Sequence, residues 1–195
     1  MIFGLVAGIA LMAAQSATPA APPAAAKPAE TKVAAPAGLR PGAVAQIVDA
    51  SGKSIGGAYF HEGPSGVLIR VEVSGLTPGW HGIHLHEKGV CTGPGFQSAG
   101  GHINPGKKPH GLLHPQGPDN GDLPSIFVEQ NGIARASPFT TLVSLKGAAG
   151  RAAILDADGS AIVIHAAVDN QSTQPIGGSG DRIACGVVKA APAAK

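Results

Sequence analysis

Histidine is the residue type whose positions point most directly to chemistry. Six of the eight histidines fall within one window of 34 residues: His81, His84, His86, His102, His110 and His114. Alternate residues of an extended strand share one face, so His84 and His86 can bind one metal ion together. His81 lies an odd number of residues away and is expected on the opposite face, as a hydrogen-bonded structural histidine.

A His-x-His pair is a weak signal by itself, because surface histidines often occur at this spacing without a metal. Two further histidines strengthen it. His102 lies in a glycine-rich segment, and His165 ends the apolar segment 161–165. Taken alone, His165 fits a satisfied core residue equally well. Four imidazoles suit copper or zinc, and a tetragonal all-nitrogen set favours Cu(II).

The segment after His102 offers a second candidate set, in which nitrogen and oxygen ligands are mixed: His110, His114, Asp119 and Asp122. Such a mixture is typical of zinc. The alternative interpretation is a solvated Gly/Pro loop that merely carries these residues.

Short β-strands are predicted to position these residues. Apolar or β-branched segments separated by turn residues occur at 43–48, 57–61, 67–73, 81–86, 125–129, 133–136, 161–165 and 183–188. No segment keeps a 3.6-residue apolar period over three turns, and 29 of the 195 residues are glycine. The pattern is typical of an all-β sandwich or barrel. Residues 87–124 and 167–181 are predicted as two long loops, and loops of such length are usually functional or disordered.

The two ends of the chain are predicted to lie outside the folded domain. Residues 1–17 read as a signal peptide, although no Lys or Arg precedes the apolar run, and an uncleaved membrane anchor is the alternative. Residues 18–38 form an Ala/Pro-rich disordered tether, and residues 191–195 a disordered tail. The folded domain is therefore assigned to residues 39–190. A net charge of only +2 argues against nucleic acid as a partner.

The chain contains two cysteines, Cys91 and Cys185. An even number in an exported chain favours a disulfide, and two buried free thiols are the alternative.

Four ordered motifs resemble the copper/zinc superoxide dismutases of the bacterial periplasmic type. They are Gly-Trp-His-Gly-Ile-His-Leu-His at 79–86, Gly-Gly-His-Ile-Asn-Pro at 100–105, Gly-Asp-Leu at 121–123 and Gly-Asp-Arg-Ile-Ala-Cys-Gly at 180–186. The resemblance covers residues 44–188. It implies an eight-stranded Greek-key β-barrel and a periplasmic location. The sequence leaves the oligomeric state open between a monomer and a homodimer.

The resemblance also implies roles for individual residues. The copper ligands would be His84, His86, His102 and His165, and His102 would bridge to a zinc ion bound by His110 and Asp122. Asp169 would link a copper histidine to a zinc histidine. Arg182 would attract superoxide beside the copper, and Cys91 would be bonded to Cys185.

One position departs from the family pattern. The family's third zinc histidine would stand at residue 119, where this chain has aspartate. Three outcomes are open: Asp119 ligates zinc in its place, His114 moves in, or the zinc site is weak or empty.

The implied activity is the dismutation of superoxide to O2 and H2O2 by copper that cycles between Cu(II) and Cu(I), with Arg182 and His102 as catalytic residues. Two other functions are weighed against it: a non-catalytic copper-buffering protein on the same fold, and a surface-interaction domain that has lost its metals. A storage site has no need of an anion-attracting Arg182, and the four histidines would be costly to bury without an ion.

Overall fold

The structure is a computed structural model that describes residues 1, 40–148 and 150–193. The predicted signal peptide, apart from Met1, and the predicted tether therefore lie outside the described residues, as do the last two residues of the tail. The described residues form twelve strands: β1 Ala43–Asp49, β2 Ser54–Glu62, β3 Val67–Ser74, β4 Gly79–His81, β5 Ile83–His86, β6 Ile126–Val128, β7 Ile133–Ala136, β8 Phe139–Thr140, β9 Val143–Ser144, β10 Ala152–Ala153, β11 Ser160–His165 and β12 Arg182–Ala190. One 3-10 helix spans Gln97–Ala99. The prediction of an all-β fold is confirmed.

The strands form a curled sheet that closes on itself. The main sheet has the order β5-β11-β12-β1-β2-β3-β7, and β8 also pairs with β3. β6 lies against β7 and pairs with β4. Because β4 leads directly into β5, the circuit returns to the strand where it began.

The predicted strand 81–86 is interrupted at Gly82. The amide of Gly82 donates to the carbonyl of Ala167 (2.8 Å) in the second long loop. A Cβ at Gly82 would lie 2.7 Å from the Cβ of Ser179, so only glycine permits this close approach. The chain can therefore pair with β6 before the interruption and with β11 after it.

Burial along the strands explains where the core lies. β3 alternates buried and half-buried residues, as expected for a strand with one face on the core. β11 is buried at every position, because Ile162 and Ile164 face the main core while Ala161 and Val163 pack in a second cluster with Phe96. Both faces of the strand that carries His165 are thus fixed by packing.

The two predicted long loops contain no strand, and the first contains the 3-10 helix. The sequence pattern did not predict β8, β9 and β10, each of which has only two residues. Segments this short are too brief to show an alternating pattern. Among the described residues, no helix has the length and apolar character needed to span a membrane.

The disulfide is confirmed. Cys91 and Cys185 are bonded, with their Cα atoms 5.7 Å apart. The bond joins the beginning of the first long loop to β12, beside the second apolar cluster.

Candidate metal centre

Four histidines converge from two neighbouring strands and the first long loop. β5 carries His84 and His86, β11 ends at His165, and His102 forms an isolated bridge with His86. One ring nitrogen from each lies within 4.8 Å of the others. We call these four residues, His84, His86, His102 and His165, the four-histidine cluster.

Each imidazole of this cluster is oriented by an oxygen atom at its outer nitrogen. The partners are Asp169 Oδ2 for His84 (2.7 Å), the Gly100 carbonyl for His86 (3.0 Å), Asp119 Oδ2 for His102 (2.9 Å) and the Gly180 carbonyl for His165 (3.0 Å). Since these oxygens accept hydrogen bonds, each outer nitrogen is the N–H donor. Each inner nitrogen is then left with its lone pair.

The inner nitrogens show that the cluster fits a metal ion. His84 Nδ1, His86 Nε2, His102 Nε2 and His165 Nε2 are buried and have no hydrogen-bond partner among the described residues. Leaving four polar atoms unpaired is costly. A cation with a preference for nitrogen ligands would satisfy all four at once, and such a donor set suits copper.

Burial keeps three of these rings neutral. It lowers the pKa of His84 to about 4 and of His165 to about 4, and it also holds the pKa of His86 far below its usual range. A neutral imidazole is the form that binds metal. The rings are therefore ready to coordinate at neutral pH.

A second cluster shares His102 with the first. His102, His110, Asp119 and Asp122, which we call the mixed cluster, also bring one ligand atom each within 4.8 Å of one another. His102 Nδ1 lies 2.9 Å from Asp119 Oδ2 and 3.5 Å from Asp122 Oδ1, and His110 Nδ1 lies 2.5 Å from Asp122 Oδ1. Ligands at 2.0 to 2.2 Å around a tetrahedral ion would lie about 3.3 to 3.6 Å apart. Small outward movements would therefore admit zinc.

The carboxylates of the mixed cluster are held by backbone amides. Asp122 Oδ2 accepts from the amides of Gly111 (2.7 Å) and Asp119 (2.9 Å), and Asp119 Oδ1 accepts from Gly121 (2.9 Å). A Cβ at Gly121 would overlap the Leu85 carbonyl oxygen, so glycine is required for the loop to lie this close to β5.

The charge balance of the mixed cluster differs from that of the four-histidine cluster. Burial alone would lower the pKa of His110, but hydrogen bonds to Asp122 and Asp169 outweigh it and raise the pKa to about 10. Burial would also lower the pKa of His102. The carboxylates of Asp119 and Asp122 outweigh this effect, so the pKa of His102 is raised. Without a metal, the protonated ring of His110 therefore supplies positive charge beside the carboxylates of Asp122 and Asp169.

Asp169 connects the two clusters. Its Oδ2 lies 2.7 Å from His84 Nε2, and its Oδ1 lies 3.1 Å from His110 Nε2. Its side chain is fully buried. This is the linking arrangement expected from the sequence, and it fixes both rings relative to each other.

Two histidines of the 34-residue window stay outside both clusters. His81 Nδ1 is 2.7 Å from the His165 carbonyl and its Nε2 is 2.9 Å from the Thr77 carbonyl, so its hydrogen-bonded structural role is confirmed. His114 Nδ1 accepts from the amide of Gln116 (3.1 Å), and the ring joins neither ligand set.

Arg182 lies at the entrance to the four-histidine cluster. Its Nη1 donates to the Phe96 carbonyl (2.9 Å), and its Nη2 donates to the Gly100 carbonyl (2.8 Å). Arg182 lines a cavity of about 570 Å3 together with His102, His165, Lys108 and Asp181. The Gly100 carbonyl thus orients both Arg182 and His86.

Two further residues at this site were not predicted from the sequence. Lys108 adds a second cation to the cavity, and its position two residues before His110 was a usable signal. Gln174 accepts from the His110 amide and donates to the His110 carbonyl, both at 2.9 Å. Because Gln174 is 64 residues away, only the fold reveals this contact.

The metal-free protein should be most stable near pH 6.5. His84 and His165 have pKa values of about 4 when folded and 6.5 as the ordinary value. The unfolded chain therefore gains protons first as the pH falls from 6.5 to 4, and these two groups alone lower the stability by on the order of 5 kcal/mol. The raised pKa of His110, about 10, stabilises the fold fully below pH 6.5 and progressively less up to pH 10.

Urea unfolding of metal-free protein across pH 5 to 9 measures this profile. The metal-loaded protein is the comparison, because bound metal takes the place of the proton on His110 and should flatten the slope above pH 6.5. The loss of stability below pH 6.5 should remain, since the ligand histidines bind metal only in the neutral form. A free energy of unfolding that keeps rising from pH 6.5 to pH 5 would contradict the prediction.

The sequence is similar to a known protein family and to individual members of it. A family model for copper/zinc superoxide dismutase (SODC) matches residues 54–188. A Cu-Zn superoxide dismutase from Caulobacter vibrioides is 53% identical over 148 residues, covering 75% of this chain and 85% of the relative.

Solved structures agree with the sequence comparison. A double mutant of an SOD-like protein from Bacillus subtilis has a TM-score of 0.70 and 41% identity, covering 73% of this chain and 94% of that chain. The Cu/Zn superoxide dismutase from Brucella abortus has a TM-score of 0.61 and 29% identity, covering 75% and 98% of the two chains.

Proposed function

The chain belongs to the copper/zinc superoxide dismutase family, and we propose the residues by which it converts two superoxide anions and two protons to O2 and H2O2. The observation that carries the proposal is the set of four inner nitrogens, which are buried, unpaired and directed together beside Arg182. His84, His86, His102 and His165 would hold copper, which would supply the one-electron couple needed to oxidise one superoxide and reduce a second.

Arg182 binds and orients the substrate in this proposal. Its guanidinium is fixed by two carbonyl oxygens and remains charged at any physiological pH. A fixed cation at the cavity attracts the superoxide anion and holds it next to the four-histidine cluster. Lys108 adds to the positive potential of the same cavity.

In this proposal, His102 donates one of the two protons that the reaction consumes. Its side chain is 6% exposed and it lines the cavity that Arg182 shares. A proton held at Nε2 can pass to the reduced substrate as peroxide forms, and solvent in the cavity can provide the second. In the zinc-free protein, Asp119 at the outer nitrogen keeps the ring in place during the transfer.

The mixed cluster is proposed as the zinc site, with His102, His110, Asp119 and Asp122 as ligands. Asp119 replaces the family's third histidine, and its carboxylate lies in contact with the shared His102. Asp169 orients one histidine of each site. His114 does not take part.

We place the protein in the periplasm. The confirmed disulfide supports this location, since such bonds persist in oxidising compartments. The apolar run in residues 1–17 provides the export signal in this proposal, and an uncleaved run would leave the domain attached to the membrane.

Arg182→Ala should slow superoxide turnover by about tenfold or more while leaving copper content unchanged, because it removes a substrate-facing charge but no ligand. Turnover is measured at low and high ionic strength, with copper determined by mass spectrometry. Lys189→Ala is the matched control, since Lys189 is an exposed cation on the same strand. Full activity of Arg182→Ala at both salt concentrations would favour the copper-buffering function instead.

A further inference from the structure

We propose that Asp119 positions His102 for copper even when no zinc is bound, so that the copper geometry of this chain does not depend on zinc. This inference rests on the proposed function. It concerns a second role of Asp119, separate from zinc ligation.

The outer nitrogens of the four-histidine cluster differ in what orients them. His84, His86 and His165 are oriented by oxygens that lie outside the mixed cluster, namely Asp169 and two backbone carbonyls. His102 is different, because its outer nitrogen belongs to the mixed cluster. Without zinc, something else has to hold this ring.

Asp119 supplies that contact. Its Oδ2 lies 2.9 Å from His102 Nδ1, whereas Asp122 Oδ1 lies at 3.5 Å. A carboxylate only accepts hydrogen bonds, so it fixes His102 as the tautomer with its hydrogen on Nδ1. In the neutral ring, the form that binds metal, the lone pair of His102 Nε2 then lies among the inner nitrogens. This is the orientation that copper requires.

Asp119 is itself held in place. It is 3% exposed, its Oδ1 accepts from the Gly121 amide (2.9 Å), and its own amide donates to Asp122 Oδ2 (2.9 Å). Each carboxylate oxygen therefore has its own donor, and rotation of the side chain would break both contacts.

A histidine at position 119 would not do the same. An imidazole nitrogen can be either a donor or an acceptor, so it leaves the tautomer of His102 undetermined until zinc binds. It also lacks a second acceptor for the Gly121 amide. The replacement by aspartate thus exchanges a zinc-dependent support of His102 for a permanent one.

The first test uses wild-type protein loaded with one equivalent of Cu(II), with and without zinc. Electron paramagnetic resonance reports the ligand geometry directly. We expect the parallel hyperfine splitting to be the same in both forms. In Asp119→His, removal of zinc should change the splitting. A wild-type spectrum that changes on zinc removal as much as that of Asp119→His would overturn the inference.

The second test compares zinc-free wild type with zinc-free Asp119→Ala. Loss of the acceptor should weaken Cu(II) binding by about tenfold or more and change the spectrum. Asp181→Ala is the matched control, because Asp181 is an exposed carboxylate lining the same cavity. Equal copper affinity and spectra in wild type and Asp119→Ala would overturn the inference. If copper in both proteins were still bound by four nitrogens, the proposed function would stand. Copper bound by fewer than four nitrogens in wild type would overturn the proposed function itself.

Discussion

His86→Ala should reduce superoxide turnover by about two orders of magnitude or more, because loss of a direct ligand should exceed the 10- to 100-fold effects of outer-shell changes. His86 Nε2 is one of the four unpaired inner nitrogens, and the residue is fully buried. Its removal leaves three ligands and a space that water can enter. Two quantities should fall together in this variant. They are the copper content after dialysis against a chelator and the turnover of superoxide.

His114→Ala is the matched control for this change. His114 lies in the first long loop but outside both clusters, so its loss should leave copper content and turnover unchanged. If His86→Ala retained one copper per chain and wild-type activity, the four-histidine cluster would not be the catalytic copper site.

Loss of the disulfide should lower the free energy of unfolding by about 4 to 5 kcal/mol in the chain-entropy model, because the bond closes a long loop in the unfolded chain. Cys91 and Cys185 are 94 residues apart. The paired variant Cys91→Ser, Cys185→Ser avoids leaving one free thiol. Guanidinium unfolding of the metal-free protein measures the difference.

A second consequence of this change reaches the active site. The disulfide lies in the cluster that contains Phe96, and the Phe96 carbonyl accepts from Arg182. Turnover of the paired variant should therefore fall even where the protein remains folded. Reduced wild-type protein is the control, since it has the same loss of the bond without a substitution. Unchanged unfolding free energy in both would show that the bond contributes no stability.

The sequence predicted which histidines lie together in the four-histidine cluster. Spacing alone put His84 and His86 on one face of a strand, and it correctly assigned His81 to another role. The glycine content and the short apolar segments predicted an all-β fold, and the motifs identified the family. These features are local, since a strand's period and a residue's type are properties of the chain itself.

Other features depend on contacts between distant segments. Gln174 reaches His110 across 64 residues, and the Gly100 carbonyl joins His86 to Arg182. The strand break at Gly82 follows from contact with the second loop.

Asp119 shows the division most clearly. The sequence determined that aspartate stands where the family has histidine, and it left three outcomes open. The tertiary structure alone placed its carboxylate 2.9 Å from His102 and left His114 outside. The reason is physical: residue type fixes which atoms can bind, whereas the closure of the barrel and the packing of the loops fix which of those atoms meet.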